Sequence, residues 1–441
     1  MNEQHNHTVL KKSRYLNDHY FKERETVVSK CYSFGDNTHY QLGLGNAEIC
    51  LKPKPMSTLE NLRVVDAAAG PYHTIVLTAA GEVYSWGLNS DGELGLGDQR
   101  TRSSPTLVPE LLDKNIVRVY AANFHSFALT AEGKIYAFGE NSNRELGLFD
   151  TNRRLTPVKI VQLQDEIIKK VVTAELHTFA VCASGRTFAW GNNFNSELGL
   201  GDVEEHSNVE ELVTFREIPL GKIVCGGGFS VALTRFGELY SWGNNSNGQL
   251  GLGDLDMRYT PELITYLSNE VVTDVSAGMA QCVCSTQNND IYVWGHNSRG
   301  ELGLSDTIDR LVPQLLLQGF DRPKLFSFTC SRHTFLVGRD KILTWGSNSN
   351  GQLGLGDRVD RTTPEEFVEA KDLLKYYDQL HFVGGHFTTI MLLSRTDPFL
   401  GNMDSARKHC LFCDVLFMVH DSIRENNETD SDRLSKRRRI Q

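Results

Sequence analysis

The sequence predicts an all-β protein, a seven-bladed β-propeller closed by strands from both ends of the chain. Three observations carry that expectation. The stretch Ser85-Trp86-Gly87-Leu88-Asn89-Ser90-Asp91-Gly92-Glu93-Leu94-Gly95-Leu96-Gly97-Asp98 recurs in variant form at Ser33–Asn46, Ala137–Asp150, Ala189–Asp202, Ser241–Asp254, Val293–Asp306 and Thr344–Asp357. The glycine after its aromatic falls at Gly35, Gly87, Gly139, Gly191, Gly243, Gly295 and Gly346, a spacing of 52 residues that shortens to 51 only at the last step. A period this strict marks one structural unit stacked repeatedly. Third, the chain opens on a lone second half of the unit, Ser29–Gly35, and closes on a lone first half, Val383–Leu393. An open array would leave an unpaired sheet edge at each end, whereas a ring in which the two halves complete one blade leaves none there.

The strands follow from residues 64–87, VVDAAAGPYHTIVLTAAGEVYSWG. One short apolar run ends at Gly70. A second opens at His73-Thr74 and continues through Ile75, Val76 and Leu77. Ala80-Gly81 turns the chain, and Val83-Tyr84-Ser85-Trp86 is the third run. Apolar runs this short between glycine turns are strands rather than helices. A fourth, outer strand is expected near Thr106–Glu110, and further first halves begin near Val117, Lys169, Lys222, Val271, Lys324 and Gln379. Asn89 and its equivalents Asn37, Asn141, Asn193, Asn245, Asn297 and Asn348 suit side-chain bonds to local turn backbone. Each aromatic at the Trp86 position is expected to bury about 150–250 Å2 between neighbouring blades.

Composition narrows the function classes. Forty per cent hydrophobic and 23% charged residues are ordinary for a globular chain. The net charge of −10 argues against direct nucleic-acid binding by the main body, which would want a basic face. Nine scattered cysteines without a secretory leader read as reduced thiols, placing the chain in cytoplasm and/or nucleus. No apolar run approaches the ~18 residues of a membrane span. Residues 1–27 read as a flexible polar lead-in, 28–395 as the propeller, and 396–441 as a tail.

The pattern Gly-x-x-His-Thr followed by Gly-Glu-Val-Tyr-Ser-Trp-Gly-x-Asn-x-x-Gly-Glu-Leu-Gly-Leu-Gly-Asp resembles the repeat of the regulator of chromosome condensation. The resemblance covers roughly Val28 to Ser394. It implies a seven-bladed propeller closed by strands from both termini, in agreement with the reading above. The family's founding member is a nucleotide exchange factor for the GTPase Ran, using a wedge inserted in one blade. The 52-residue spacing here leaves no room for such an insertion, and the N-terminus lacks the expected basic nucleosome-binding tail. The plant ultraviolet receptor branch needs extra tryptophans clustered on one face. Trp86, Trp190, Trp242, Trp294 and Trp345 all sit in the structural motif, so that reading fails.

Comparing the repeats with one another locates the candidate sites. Four residues past the motif Asp come Arg102, Arg154, Arg258, Arg310 and Arg361, expected to fork onto carboxylates or carbonyls within their own blades. Cys50 and His206 stand there in the other two. The Ala189–Asp202 copy departs most. Phe194 replaces Ser or Thr in the loop, Glu204, Glu205, Glu210 and Glu211 make the following loop acidic, and Val209 stands where the other six have proline. Phe229 occupies the position of His73, His125 and His177. An exposed aromatic beside carboxylates suits a protein contact, so Phe194, Glu204, Glu205, His206 and Phe229 are the partner-binding candidates. The recurring histidines, including His333, point to different places around a ring, which favours structural hydrogen bonds over catalysis. No phosphate-binding loop or nucleophile elbow stands out, and no catalytic residue, metal site or cofactor is expected.

After Ser394 the pattern stops. Cys410 and Cys413 have ligand spacing but no second pair, which argues against zinc. Phe412-Cys413-Asp414-Val415-Leu416-Phe417 resembles the opening strand of a BTB domain, and chains joining these repeats to a BTB domain look like substrate adaptors for cullin ubiquitin ligases. Too few residues follow for the ~100 of such a domain, so a BTB start here reads as truncated. Lys436-Arg437-Arg438-Arg439 reads as a nuclear-import signal or a solvated charge run. The expected function is a non-catalytic regulator or adaptor that docks a protein, such as a small GTPase or a ubiquitination substrate. The alternative is nucleotide exchange on a Ran-like GTPase.

Overall fold

The computed structural model describes residues 27–327, 331–371, 377 and 379–396. The lead-in up to residue 26, the BTB-like stretch with Cys410 and Cys413, and Lys436–Arg439 lie outside them, while Val27, read as lead-in, already belongs to a strand. Seven four-stranded antiparallel sheets make seven blades. Blade II shows the plan, with strands Val64–Ala69, His73–Thr78, Val83–Gly87 and Arg102–Leu107 paired in that order from the axis outward. Blades III to VII repeat it over 116–159, 168–211, 220–263, 272–317 and 324–366. Blade I is the composite one. Its order is Cys50–Pro55, Val27–Gly35, Thr388–Thr396, Gln379–Gly384, two strands from each end of the propeller. The two central strands pair from Val27 opposite Thr396 to Gly35 opposite Thr388, with Ser33 opposite Ile390.

The outer strand lies earlier than its composition suggests. In blade II it spans Arg102–Leu107, and Pro109–Leu111 forms a 3-10 turn instead of continuing it. Pro109 lacks the amide a strand would need and fits the first position of a helical turn. Val108 and Leu111 are thereby turned under the sheet and fully buried. The third strand ends on Gly87 at φ +104°, where an added Cβ would stand 2.4 Å from the Tyr72 carbonyl oxygen. Only glycine fits there.

Each motif loop is locked from inside. Asn89 Oδ1 accepts the Leu94 amide at 3.0 Å while its Nδ2 donates to the Asp98 carbonyl at 2.8 Å. The other six asparagines make the same pair of bonds. Arg102, Arg154, Arg258, Arg310 and Arg361 each reach the motif Asp of their own blade at 2.6–2.8 Å. The arginine ring is structural.

Blades are joined by a relay through the loop residue Glu or Gln. The Gln41 carbonyl of blade I accepts both Thr74 Oγ1 and Trp86 Nε1 of blade II at 2.9 Å. Glu197 does the same for Ser230 and Trp242 of blade V. Trp190, Trp294 and Trp345 donate to Glu145, Gln249 and Glu301. Where Phe replaces Trp, a hydroxyl keeps the bond: Ser126 to Glu93, and Thr389 to Gln352. The histidines complete the relay. His73 Nε2 lies 2.8 Å from Ser126 Oγ, which already donates to Glu93, so Nε2 carries the proton. His177 and His333 stand likewise against Ser230 and Thr389. Burial holds His73, His125, His177 and His333 down at about 3, so they stay neutral.

The side chains of those loop residues are buried too. Glu93, Glu145, Glu197 and Glu301 accept the amide two residues back, as Gln41, Gln249 and Gln352 do in the other blades. Burial pushes the carboxyls of Glu93 and Glu197 up to about 7. The folded state thus holds the proton more tightly than the unfolded chain, and stability is lost as pH rises from about 4.5 to about 7. Glutamine abolishes that loss where its amide has an acceptor. Gln249 Nε2 donates to Asn244 Oδ1, and blade IV has Asn192 at that place. Glu197→Gln is therefore expected to stabilise the protein by about 1–2 kcal/mol at pH 8 and by nothing at pH 4. Denaturant melts at both values check this.

Candidate functional site

Blade IV is the exception to the plan. Its outer strand is only Glu210–Glu211, paired with Ala189 and Phe188. In blades I, II, III, V, VI and VII the outer strand begins at the residue facing the motif glycine, Cys50 or an arginine. In blade IV that residue is His206, which bonds Asp202 Oδ1 through Nε2 at 3.0 Å but starts no strand. Val209, freed of the proline ring, donates its amide to Gln162 Oε1 of blade III. His206 and Val209 thus stand in a loop where the other blades carry the first half of an outer strand.

That loop displays three of the five candidates. Phe194 is 60% exposed, Glu204 and Glu205 are exposed, and Asn193 Nδ2 fastens the loop through the Asp202 and Glu204 carbonyls. His206 is half-buried against Asp202 and substitutes for the arginine fork. Glu211 faces Arg186 at 2.7 Å and Arg216 at 3.0 Å, and these guanidinium partners hold its carboxyl down at about 2.

Phe229 corrects the sequence reading. It is fully buried, in the core between blades V and VI beside Cys282. Two positions change together: the His of one blade becomes Phe229, and the Ser of the next becomes Cys282, whose Sγ lies 3.7 Å from the Gln249 carbonyl. The polar relay is replaced by apolar packing, and Gly226 makes room, since a Cβ there would sit 1.8 Å from the Phe229 ring. Sequence comparison also missed Phe149, 64% exposed at the loop position that is glycine in five blades and Ser305 in another. Reading the motif for its leucines hides that exchange; reading the glycines alone reveals it.

Among the described residues the six cysteines are free thiols, no group of side chains is placed to hold a metal, and no helix is long and apolar enough to cross a membrane. All five tryptophans are buried at 1% exposure or less. The face-exposed tryptophan cluster that the resemblance requires of a light receptor has no counterpart.

Seven equivalent blades, a relay from each to the next and a composite closing blade define a propeller of the regulator of chromosome condensation type. The chain belongs to the RCC1-like domain family, whose pattern matches residues 29–394. It is 33% identical to the ultraviolet-B receptor UVR8 of Arabidopsis thaliana over 77% of each chain. It is 29% identical to the human E3 ubiquitin-protein ligase HERC2, matching 79% of this chain but 7% of that one, and 32% identical to the human probable ligase HERC4, matching 75% and 32%. This chain therefore corresponds to a small part of either ligase. Yeast RCC1 (Prp20), solved with Kap60, superposes with a TM-score of 0.73 at 22% identity, covering 86% of this chain and 90% of that one. Human WBSCR16 gives 0.73 at 18%, covering 83% and 99%.

The relay is testable at the blade V–VI junction. Phe229→His alone is expected to destabilise the protein by about 2–3 kcal/mol, because it buries an imidazole opposite a thiol. Phe229→His with Cys282→Ser is expected to recover at least half of that in chemical denaturation.

Proposed function

We propose that this propeller is a non-catalytic protein-interaction module, a regulator or adaptor that docks a partner protein on the face carrying the motif loops. The observation that carries the reading is the remodelled loop of blade IV, with Phe194 held out beside Glu204 and Glu205 on an otherwise uniform scaffold. Binding residues concentrate on loops positioned by rigid elements. Similarity to segments of HERC2 and HERC4 supports a ubiquitination substrate as one kind of partner. A small GTPase is the other, supported by the Prp20p structure described with its binding to Gsp1p and histones. Action in cytoplasm and/or nucleus belongs to the same proposal, with Lys436–Arg439 as the import candidate.

Exchange activity on a Ran-like GTPase is the alternative, and it would require tighter binding of a nucleotide-free state. Even spacing of the motifs, with no inserted wedge, favours the docking reading. Proximity labelling in cells would supply partners. Phe194→Ala is expected to lower their recovery about tenfold or more, and unchanged recovery would remove the site. In a labelled-nucleotide release assay across a panel of small GTPases, the propeller is expected to leave release rates unchanged; acceleration would establish the alternative.

A further inference from the structure

We infer that the rim between blades III and IV takes a segment of partner protein that carries arginine or lysine beside a large apolar side chain. The inference rests on the docking reading above and adds the partner's chemistry.

Placement is the first argument. At the other junctions the residue equivalent to Phe149 donates its amide to the next blade's outer strand: Gly45 to Ser103, Gly97 to Leu155, Gly201 to Tyr259, Gly253 to Leu311, Ser305 to Thr362 and Gly356 to Leu51, all at 2.8–3.1 Å. A Cβ on Gly97 would touch Thr156 of the next blade at 3.6 Å. Phe149 holds that place in blade III, where the following blade has no strand at the receiving position. Just before that segment, Phe194 and Val203 hold the places of Ser90 and Gln99, which are hydrogen-bonded to each other in blade II. The rim therefore runs Phe149, the loop of His206, Glu205 and Glu204, then Val203 and Phe194. Its apolar members are 64%, 41% and 60% exposed.

Charge is the second. Between Arg186 and Arg216 the chain has no lysine or arginine. Asp202, Glu204, Glu205, Glu210 and Glu211 all lie in that interval. Glu211 is committed to Arg186 and Arg216. Asp202 has only a histidine where the motif Asp of five other blades has a guanidinium. Two exposed phenyl rings beside carboxylates whose own segment supplies no lysine or arginine attract a cationic chain, and a guanidinium can also stack on a ring face. The same charge repels nucleic acid and a second copy of this surface.

The probe is a fluorescein-labelled twelve-residue peptide with alternating arginine and leucine, against its glutamate–leucine counterpart, followed by anisotropy with the full chain. Saturable binding of the arginine peptide is expected, weaker by about fivefold when salt rises from about 50 to about 300 mM, with none to the glutamate peptide. Phe149→Ala with Phe194→Ala should weaken it about tenfold and Glu204→Gln with Glu205→Gln about fivefold. Phe236→Ala, an exposed phenylalanine in the turn before Gly237 on the other face, should change nothing. All five residues are exposed in loops or turns, and an unchanged melting temperature certifies folding. No binding, equal binding of the glutamate peptide, or binding indifferent to the Phe149 and Phe194 pair would overturn the inference. If Phe194→Ala still abolishes recovery of cellular partners in that case, docking stands and only the partner chemistry falls. If peptide binding behaves as expected but partner recovery ignores Phe194, the chemistry stands and the docking reading falls.

Discussion

A single carbonyl oxygen in each motif loop reaches across to the following blade, and the rest of the ring depends on it. It belongs to Glu or Gln, lies out of solvent, and receives an indole N–H, a hydroxyl or both. Adjacent sheets in the propeller share no backbone ladder along their length, so apart from single amide bonds at the rim their relative rotation is otherwise set by apolar packing. That packing is substantial: Phe127 meets Trp190 edge-to-face at 6.2 Å, and Phe179 meets Trp242 at 6.0 Å. Packing alone is non-directional. A directed bond at a fixed height along each interface sets the register, and the neutral histidines extend it by one more link. The Asn lock inside each loop matters because it holds this carbonyl in place.

The redundancy of the arrangement explains which changes the ring accepts. Every junction keeps at least one donor to the carbonyl, although Trp gives way to Phe at Phe34 and Phe138 and the hydroxyl to a thiol at Cys282. An interface that loses one of two bonds still has its packing and its register. Blade IV changes elsewhere, in the outer strand, where no other blade relies on it for the relay. Its Trp190 and Glu197 keep their bonds on both sides. The face can therefore be altered locally without unsettling the wheel.

Period and phase made the architecture legible in the sequence. Gly35 to Gly346 counted the blades, and the half-units around Tyr32 and Ile390 told how the ring closes. What remained hidden depends on two repeats at once. Phe229 stands in a histidine position, and read by itself it looks like a surface novelty; only Cys282, in the next repeat, shows that its partner has become apolar. Phe149 was hidden for the opposite reason, because a glycine position is defined by backbone and says nothing about what an added side chain would meet. The outer strand was misplaced because Arg102–Leu107 is half-exposed and carries no apolar alternation. Its strand character comes from pairing with Val83–Gly87, a tertiary fact.

The composite blade has a geometric corollary. Its central strands run antiparallel with Val27 facing Thr396, so the polypeptide arrives and departs at neighbouring points. Both points lie at the end of the sheet where second strands hand over to third strands, remote from the motif loops. The propeller's entry and exit thus share one doorstep, on the face opposite the loops that carry the candidate site.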